Sequence, residues 1–196
     1  SDSVHDFDHI LRVLALAEYI AQAEGADPQI VHAAALLHDV ERHQADTRGE
    51  NHAHWAARRA REILNEHPTG QVAAVAHAIE AHRFRTPPEP ETLEAQVVFD
   101  ADKLDAIGAV GVARAFAYGG AHGQRLWADP HTIDYERWQA QGDDPHAHTP
   151  HHEFVVKLSR IKERLFTPTG RALAQARHAY MLEFFTRMAD EMQGIA

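Results

Sequence analysis

The sequence predicts an all-α fold. Three observations carry that expectation: apolar residues recur at helical spacing through most of the chain, prolines and glycines fall between those runs, and no stretch alternates strictly enough to read as a half-buried strand. In the first helix, expected over residues 4–24, Ile10, Val13, Leu14, Ala17 and Ile20 repeat on one face and Gly25 follows as a stop. Asp27-Pro28 then reads as an N-cap with proline in the first turn, opening a second helix through "QIVHAAALLHDV". A third helix is expected over 51–66, ended by Pro68, after which Thr69 is expected to cap a fourth, "GQVAAVAHAIEAH".

The stretch "RTPPEPET" cannot continue a helix and is read as a loop. "LEAQVVFDADKLDAIGAVGVARAFAYGG" is read as one helix interrupted by polar residues and closed by Gly119-Gly120. Its "QVVF" run is short enough for a strand, but alanine-rich turns flank it on both sides. Residues 121–150, rich in Gly, Asp, Pro and His, are expected to form a long, solvated loop with one short helix. Two helices close the chain, "HHEFVVKLSRIKERLF" and a long one from Thr167-Pro168 to about Met192. With no repeat and no second composition regime, residues 1–196 are read as a single domain.

Composition narrows the function. The chain has 196 residues, 44% hydrophobic and 24% charged, which suits a soluble domain with a core of its own. It has no cysteine, which excludes disulfides, thiolate zinc sites and cysteine nucleophiles. No apolar run approaches membrane-spanning length, and the first residues carry no basic-then-apolar signal, so a cytoplasmic location is expected. The formal charge of −10 argues against non-specific binding to a nucleic-acid backbone. It leaves room for a small phosphorylated substrate, because a metal ion supplies local positive charge in an acidic protein. The unusual count is 17 histidines.

Helical phase separates inward from outward polar residues. His9 extends the line of Val13, Leu16 and Ile20, and His38 that of Val31, Ala34 and Ala35. His52 lines up with Ala56 and Ala60, whereas His54 points with Arg58 and Arg61. His82 follows Val75 and Ile79, while His77 falls off that line; Asp102 follows Val98 and precedes Ala106. A lone inward histidine is ordinarily a satisfied core residue, but a buried carboxylate needs a cation or several donors. Inward imidazoles and a carboxylate from several helices converge most simply on a metal. Such a donor set suits Mn, Fe, Co, Ni or Zn better than Mg or Ca.

A single His, an adjacent His-Asp pair and a later Asp on successive helices resemble the HD-domain superfamily of metal-dependent phosphohydrolases. "DHILRV", "ALLHDVE", "AIEAHRF", "EAQVVFDADKLDAIGAVGVARAFAYGG" and "HHEFVVKLSRIKERLFTPTGRALAQARHAYMLEFF" are similar, in order and over nearly the whole chain, to a bacterial subgroup of these proteins. The resemblance implies a helical bundle of HD type with one long loop insertion. It places the metal ligands on His9, His38, Asp39 and Asp102, with Asp100 as a supporting or merely neighbouring carboxylate. Members that hold two ions use further histidines, which fall here on His52 and His82, at a second metal or a phosphate.

The activity implied is hydrolysis of a phosphate ester or anhydride, with nucleotides (NTP, dNTP or NMP) as the substrate class. The metal would lower the pKa of water and offset phosphoryl charge. Lys103 and Arg12 are the candidate phosphate-facing cations, and Glu41 the candidate for orienting or deprotonating the attacking water. His152 and Lys157 match a motif near the pocket mouth, and Tyr118, Gly119 and Gly120 are expected to shape the cavity. Two other classes fit the same resemblance: a di-iron oxygenase, and a non-catalytic nucleotide-binding module. A homo-oligomer is among the assemblies the sequence allows.

Overall fold

A computed structural model describes residues 7–40, 42–83, 87–129 and 148–195, apart from the side chains at positions 43 and 46. Among the described residues every regular element is a helix, as the periodicity predicts. The elements are α1 (Phe7–Glu24), α2 (Pro28–Leu37), α3 (Arg42–Arg48), α4 (His52–Ile63), α5 (Thr69–Glu80), α6 (Leu93–Leu104), α7 (Gly108–Ala121), α8 (Pro150–Val156), a 3-10 turn at Leu158–Glu163, and α9 (Pro168–Met192). None of them is long and apolar enough to cross a membrane. The chain groups into two compact units. Among the described residues, one comprises 7–105 with Leu165–Ala172, the other 106–164 and 173–195.

In the first unit α1 packs on α2 and α6, and α5 packs on α2, α4 and α6. Val13, Ala17 and Ile20 of α1, Val31, Ala34 and Ala35 of α2, and Val97, Val98 and Ala101 of α6 are fully buried. Each large aliphatic side chain so placed contributes about 1.5–3 kcal/mol of burial free energy. Alanine dominates the stripe of α4, where Ala53, Ala56, Ala57 and Ala60 lie in the interior. Small side chains let that helix approach its neighbours closely.

Caps set where the helices begin. Asp27 accepts a hydrogen bond from the Gln29 amide, with Pro28 at the first helical position, as expected from the sequence. Asn51 does the same for α4 through the Ala53 amide, and Thr92 for α6 through Ala95. Thr69, expected as a cap, is instead the first residue of α5. Pro68 precedes it and offers no side-chain acceptor.

Asp100, wholly buried on α6, clasps the start of α9. It accepts from the amides of Phe166 (2.9 Å) and Thr167 (2.8 Å) and from the Thr167 hydroxyl (2.7 Å). Thr167 Oγ1 in turn accepts from the Gly170 amide, closing the first turn of α9. Burial pushes the Asp100 carboxyl pKa up, against these donors. A Cβ at Gly170 would stand 2.4 Å from Asp100 Oδ2, so only glycine fits there.

The second unit is built on aromatic contacts. Phe185 stacks on Phe154 (4.9 Å between centroids) and His151 (5.0 Å), with Phe116 at 6.3 Å. Four expectations need correction. The continuous helix expected after "LEAQVVF" breaks between Leu104 and Gly108, because Gly108 adopts φ +82°. "HHEFVVKLSRIKERLF" is an α-helix followed by a 3-10 turn, α8 closing at Lys157 with φ −134°. The short helix α3 was not expected at all. Finally, His148 of the histidine-rich stretch is buried rather than solvated, its Nε2 3.0 Å from Glu153 Oε2. Most of the expected long loop lies outside the described residues.

Candidate metal centre

The first unit brings His9, His38, Asp39, His52, His82 and Asp102 together. His9 reaches inward from the first turn of α1, and His38 and Asp39 follow directly on α2. Asp102 projects from the last turn of α6. The Nε2 atoms of His9 and His38 are 3.4 Å apart. Asp102 Oδ1 lies 3.5 Å from the first and 4.0 Å from the second. Asp39 Oδ2 lies 3.8 Å from both.

A second group shares Asp39. Its other oxygen, Oδ1, is 3.8 Å from His52 Nε2 and 3.9 Å from His82 Nε2. Each of the sets His9, His38, Asp39 and Asp39, His52, His82 can offer its ligand atoms to one ion. Of the two histidines weighed on α4, His52 is buried in this cluster, while His54 is exposed and paired with Glu80.

Local folding aims these rings. His38 stands at the C-terminal end of α2, where its Nδ1–H donates to the Ala35 carbonyl at 2.8 Å. His82, just beyond α5, uses the same device on the Ile79 carbonyl. His9 Nδ1–H donates to Asp105 Oδ2 at 2.7 Å. With those protons engaged, His9, His38 and His82 all turn Nε2, the nitrogen left with the lone pair, towards carboxylates. Lone pairs of two imidazoles 3.4 Å apart, facing anionic oxygens, repel one another unless a cation lies among them.

Both carboxylates of the cluster are held in the ionised form. Burial opposes ionisation of Asp39, but His38, Arg42 and His82 outweigh it and hold its carboxyl below the usual carboxylate range. Burial likewise opposes ionisation of Asp102, which Lys103, His9, His38 and His82 keep well below that range. Burial, above all, holds the His82 imidazole neutral down to about 3. Asp39 Oδ1 is buried and, among the described residues, accepts no hydrogen bond, although its sister oxygen takes one from Arg42 at 2.7 Å. A buried carboxylate oxygen without a donor is costly. Imidazole nitrogens and carboxylate oxygens in these numbers are the donor set of a divalent transition metal, so the residues fit such an ion.

The HD domain family model matches residues 6–107, just over half of the chain. The chain belongs to the HD domain family. It is 36% identical to the uncharacterised protein YpgQ of Bacillus subtilis, over 98% of this chain and 87% of that protein. The crystal structure of YpgQ in complex with ADP matches at a TM-score of 0.74 and 32% identity, covering 100% of this chain and 94% of that one. An HD-superfamily hydrolase of Bacillus thuringiensis matches equally well, at TM-score 0.74 and 31% identity over 96% of this chain and 87% of its own. Ribonuclease Y of Chloroflexus aurantiacus is 32% identical over 64% of this chain, a match confined to 28% of that enzyme.

Within this HD domain the remaining expected site residues are placed as follows. Lys103 donates to Asp102 Oδ2 and lies 5.4 Å from the centroid of the Phe99 ring. Arg12 grips Asp105 through Nε to Oδ1 (2.7 Å) and Nη2 to Oδ2 (3.1 Å). Glu41 lies outside the described residues. His152 and Lys157 belong to the second unit. His152 is buried with its amide on Thr149 Oγ1, and Lys157 donates to Glu153 Oε1. Asp100 touches α9 rather than a ligand, as described above. Asp105, 1% exposed and joined to both His9 and Arg12, is the HD-domain residue the sequence reading passed over. Its signal was present, since it follows Asp102 by three residues on the same helical face.

Proposed function

We propose that this HD-domain protein hydrolyses a phosphate ester or anhydride of a nucleotide, using a divalent transition metal. The observation that carries the reading is the pair of oxygens on Asp39, each facing a different set of imidazoles, one of them with no hydrogen bond from the described residues. The similarity to YpgQ, whose crystal structure holds ADP, supports the nucleotide part. Mn, Fe, Co, Ni and Zn suit the donors better than Mg. His9, His38, Asp39 and Asp102 would hold the ion, and His52 and His82 would hold a second ion together with Asp39 Oδ1, or else meet a phosphate themselves. Bound there, the metal supplies Lewis acidity and lowers the pKa of water near neutrality.

The chain's own residues do the rest. Lys103, already drawn to Asp102, is the cation we place against phosphoryl oxygens. Glu41 orients or deprotonates the attacking water, a role that rests on the sequence resemblance. The test is anion-exchange chromatography of mixed mono-, di- and triphosphates incubated with the protein and each metal in turn. Metal-dependent loss of one nucleotide, absent in His38→Ala, supports the reading, and the products name the bond cut. No turnover of any nucleotide with any metal would overturn it.

A second reading rests on the same shared carboxylate. Two ligand sets meeting at Asp39 would also suit two irons in an oxygenase. Two irons per chain with a mixed-valent signal would favour that chemistry over hydrolysis.

A further inference from the structure

We propose that Asp105 is a positioning residue for the metal centre: it fixes the tautomer and direction of His9, and Arg12 holds Asp105 in place. The proposal rests on the metal-binding reading above. Asp105 Oδ2 accepts from His9 Nδ1–H at 2.7 Å, which leaves Nε2 as the ring's lone-pair nitrogen. That nitrogen is the one facing His38, Asp39 and Asp102. Hydrogen bonding of the distal ring nitrogen to a carboxylate both orients a ligating histidine and raises its basicity.

Three features make Asp105 suited to the task. It is 1% exposed, so water does not compete for its oxygens. Arg12 binds both oxygens, through Nε at 2.7 Å and Nη2 at 3.1 Å, a two-point grip that fixes the carboxylate plane. The helical spacing is economical as well: Arg12 follows His9 by three residues on α1, and Asp105 follows Asp102 by three at the end of α6. Each helix therefore supplies one ligand and, one turn later, half of the support.

His9 differs in this from His38 and His82. Their Nδ1 protons are taken by the backbone carbonyls of Ala35 and Ile79, which no substitution removes. The direction of His9 instead depends on a side chain. The same geometry gives Arg12 a part in the centre: its guanidinium holds Asp105 and so acts on the ion through Asp105 and His9.

The test is calorimetric titration of Mn²⁺ alone into the full chain, for wild type, Asp105→Asn, Asp105→Ala, Arg12→Ala and the Asp105→Ala/Arg12→Ala double variant. Circular dichroism and the unfolding midpoint confirm that each is folded. Asp105→Ala is expected to weaken Mn²⁺ binding by about 10–100-fold. Asp105→Asn should lose less, because its amide oxygen still accepts from Nδ1–H. Arg12→Ala should weaken binding by itself yet add nothing in the Asp105→Ala background. The visible spectrum of Co²⁺-loaded Asp105→Ala should differ from wild type, a change that a purely structural role would not produce. Wild-type affinity in Asp105→Ala, or full additivity of the two alanine substitutions, would overturn the proposal while leaving the metal reading intact. Failure of the wild type to bind any divalent metal would overturn both. If Asp105→Ala does not fold, Asp105→Asn carries the same test, and wild-type affinity in it would count against the proposal.

Discussion

Asp39 presents to His52, at 3.8 Å, the one of its two oxygens that has no hydrogen-bond partner among the described residues. The other oxygen is held by Arg42 and faces His9 and His38. One carboxylate thus stands between two groups of imidazoles. Replacing it with asparagine keeps the size but puts an amide NH₂ where one lone-pair oxygen now stands. Asp39→Asn is therefore expected to lose metal binding and turnover together, while the fold survives; parallel calorimetry, activity and thermal unfolding check this.

His52 and His54 lie two residues apart on α4 and should behave in opposite ways. His52→Ala removes a buried member of the cluster and should weaken metal binding and turnover. His54→Ala removes an exposed side chain whose contact with Glu80 contributes at most about 1 kcal/mol, so activity should stay near wild type. Rates of the two variants, measured side by side, decide whether the phase of α4 has been read correctly.

That phase was legible because α4 carries a stripe of alanines, and helical geometry then sorts its histidines without any tertiary information. His9, His38, His82 and Asp102 were legible for the same reason. Asp39 was not on any apolar line; it was found through the resemblance, since it sits beyond the last residue of α2 where phase no longer applies. Asp105 was passed over because its partners, His9 and Arg12, lie more than ninety residues away in sequence. The break before Gly108 and the burial of His148 were missed for a related cause. Local composition alone reads the first as helix and the second as loop, whereas Gly108 adopts φ +82° and His148 pairs with Glu153.

The clasp between Asp100 and the start of α9 predicts a stability defect separate from activity. Asp100→Ala would leave the Phe166 and Thr167 donors without their acceptor and should cost about 3 kcal/mol. Gly170→Ala should destabilise by about 1–3 kcal/mol, because its Cβ would collide with the same carboxylate. Denaturant unfolding of both variants, with metal binding measured alongside, separates this clasp from the metal centre.

Glu153 predicts a pH-dependent contribution to stability. Burial opposes its ionisation, but His148 and Lys157 overcome that and lower its pKa from 4.5 to about 2. A carboxyl depressed on folding stabilises the native state above its unfolded pKa and loses that contribution as pH falls through the folded one. The difference in unfolding free energy between wild type and Glu153→Gln should therefore be full above pH 4.5 and shrink steadily towards pH 2. Chemical denaturation at a series of pH values measures it; a difference that stayed constant over that window would show that the pair does not act.

The most direct test of the central claim is metal content. Wild type and His38→Ala, each incubated with excess Mn²⁺ and freed of loose metal by gel filtration, can be compared by elemental analysis. The account predicts one or two ions per wild-type chain and essentially none in the variant, with both proteins folded. Equal metal in the two proteins, or none in either, would contradict a metal centre built on His9, His38, Asp39 and Asp102.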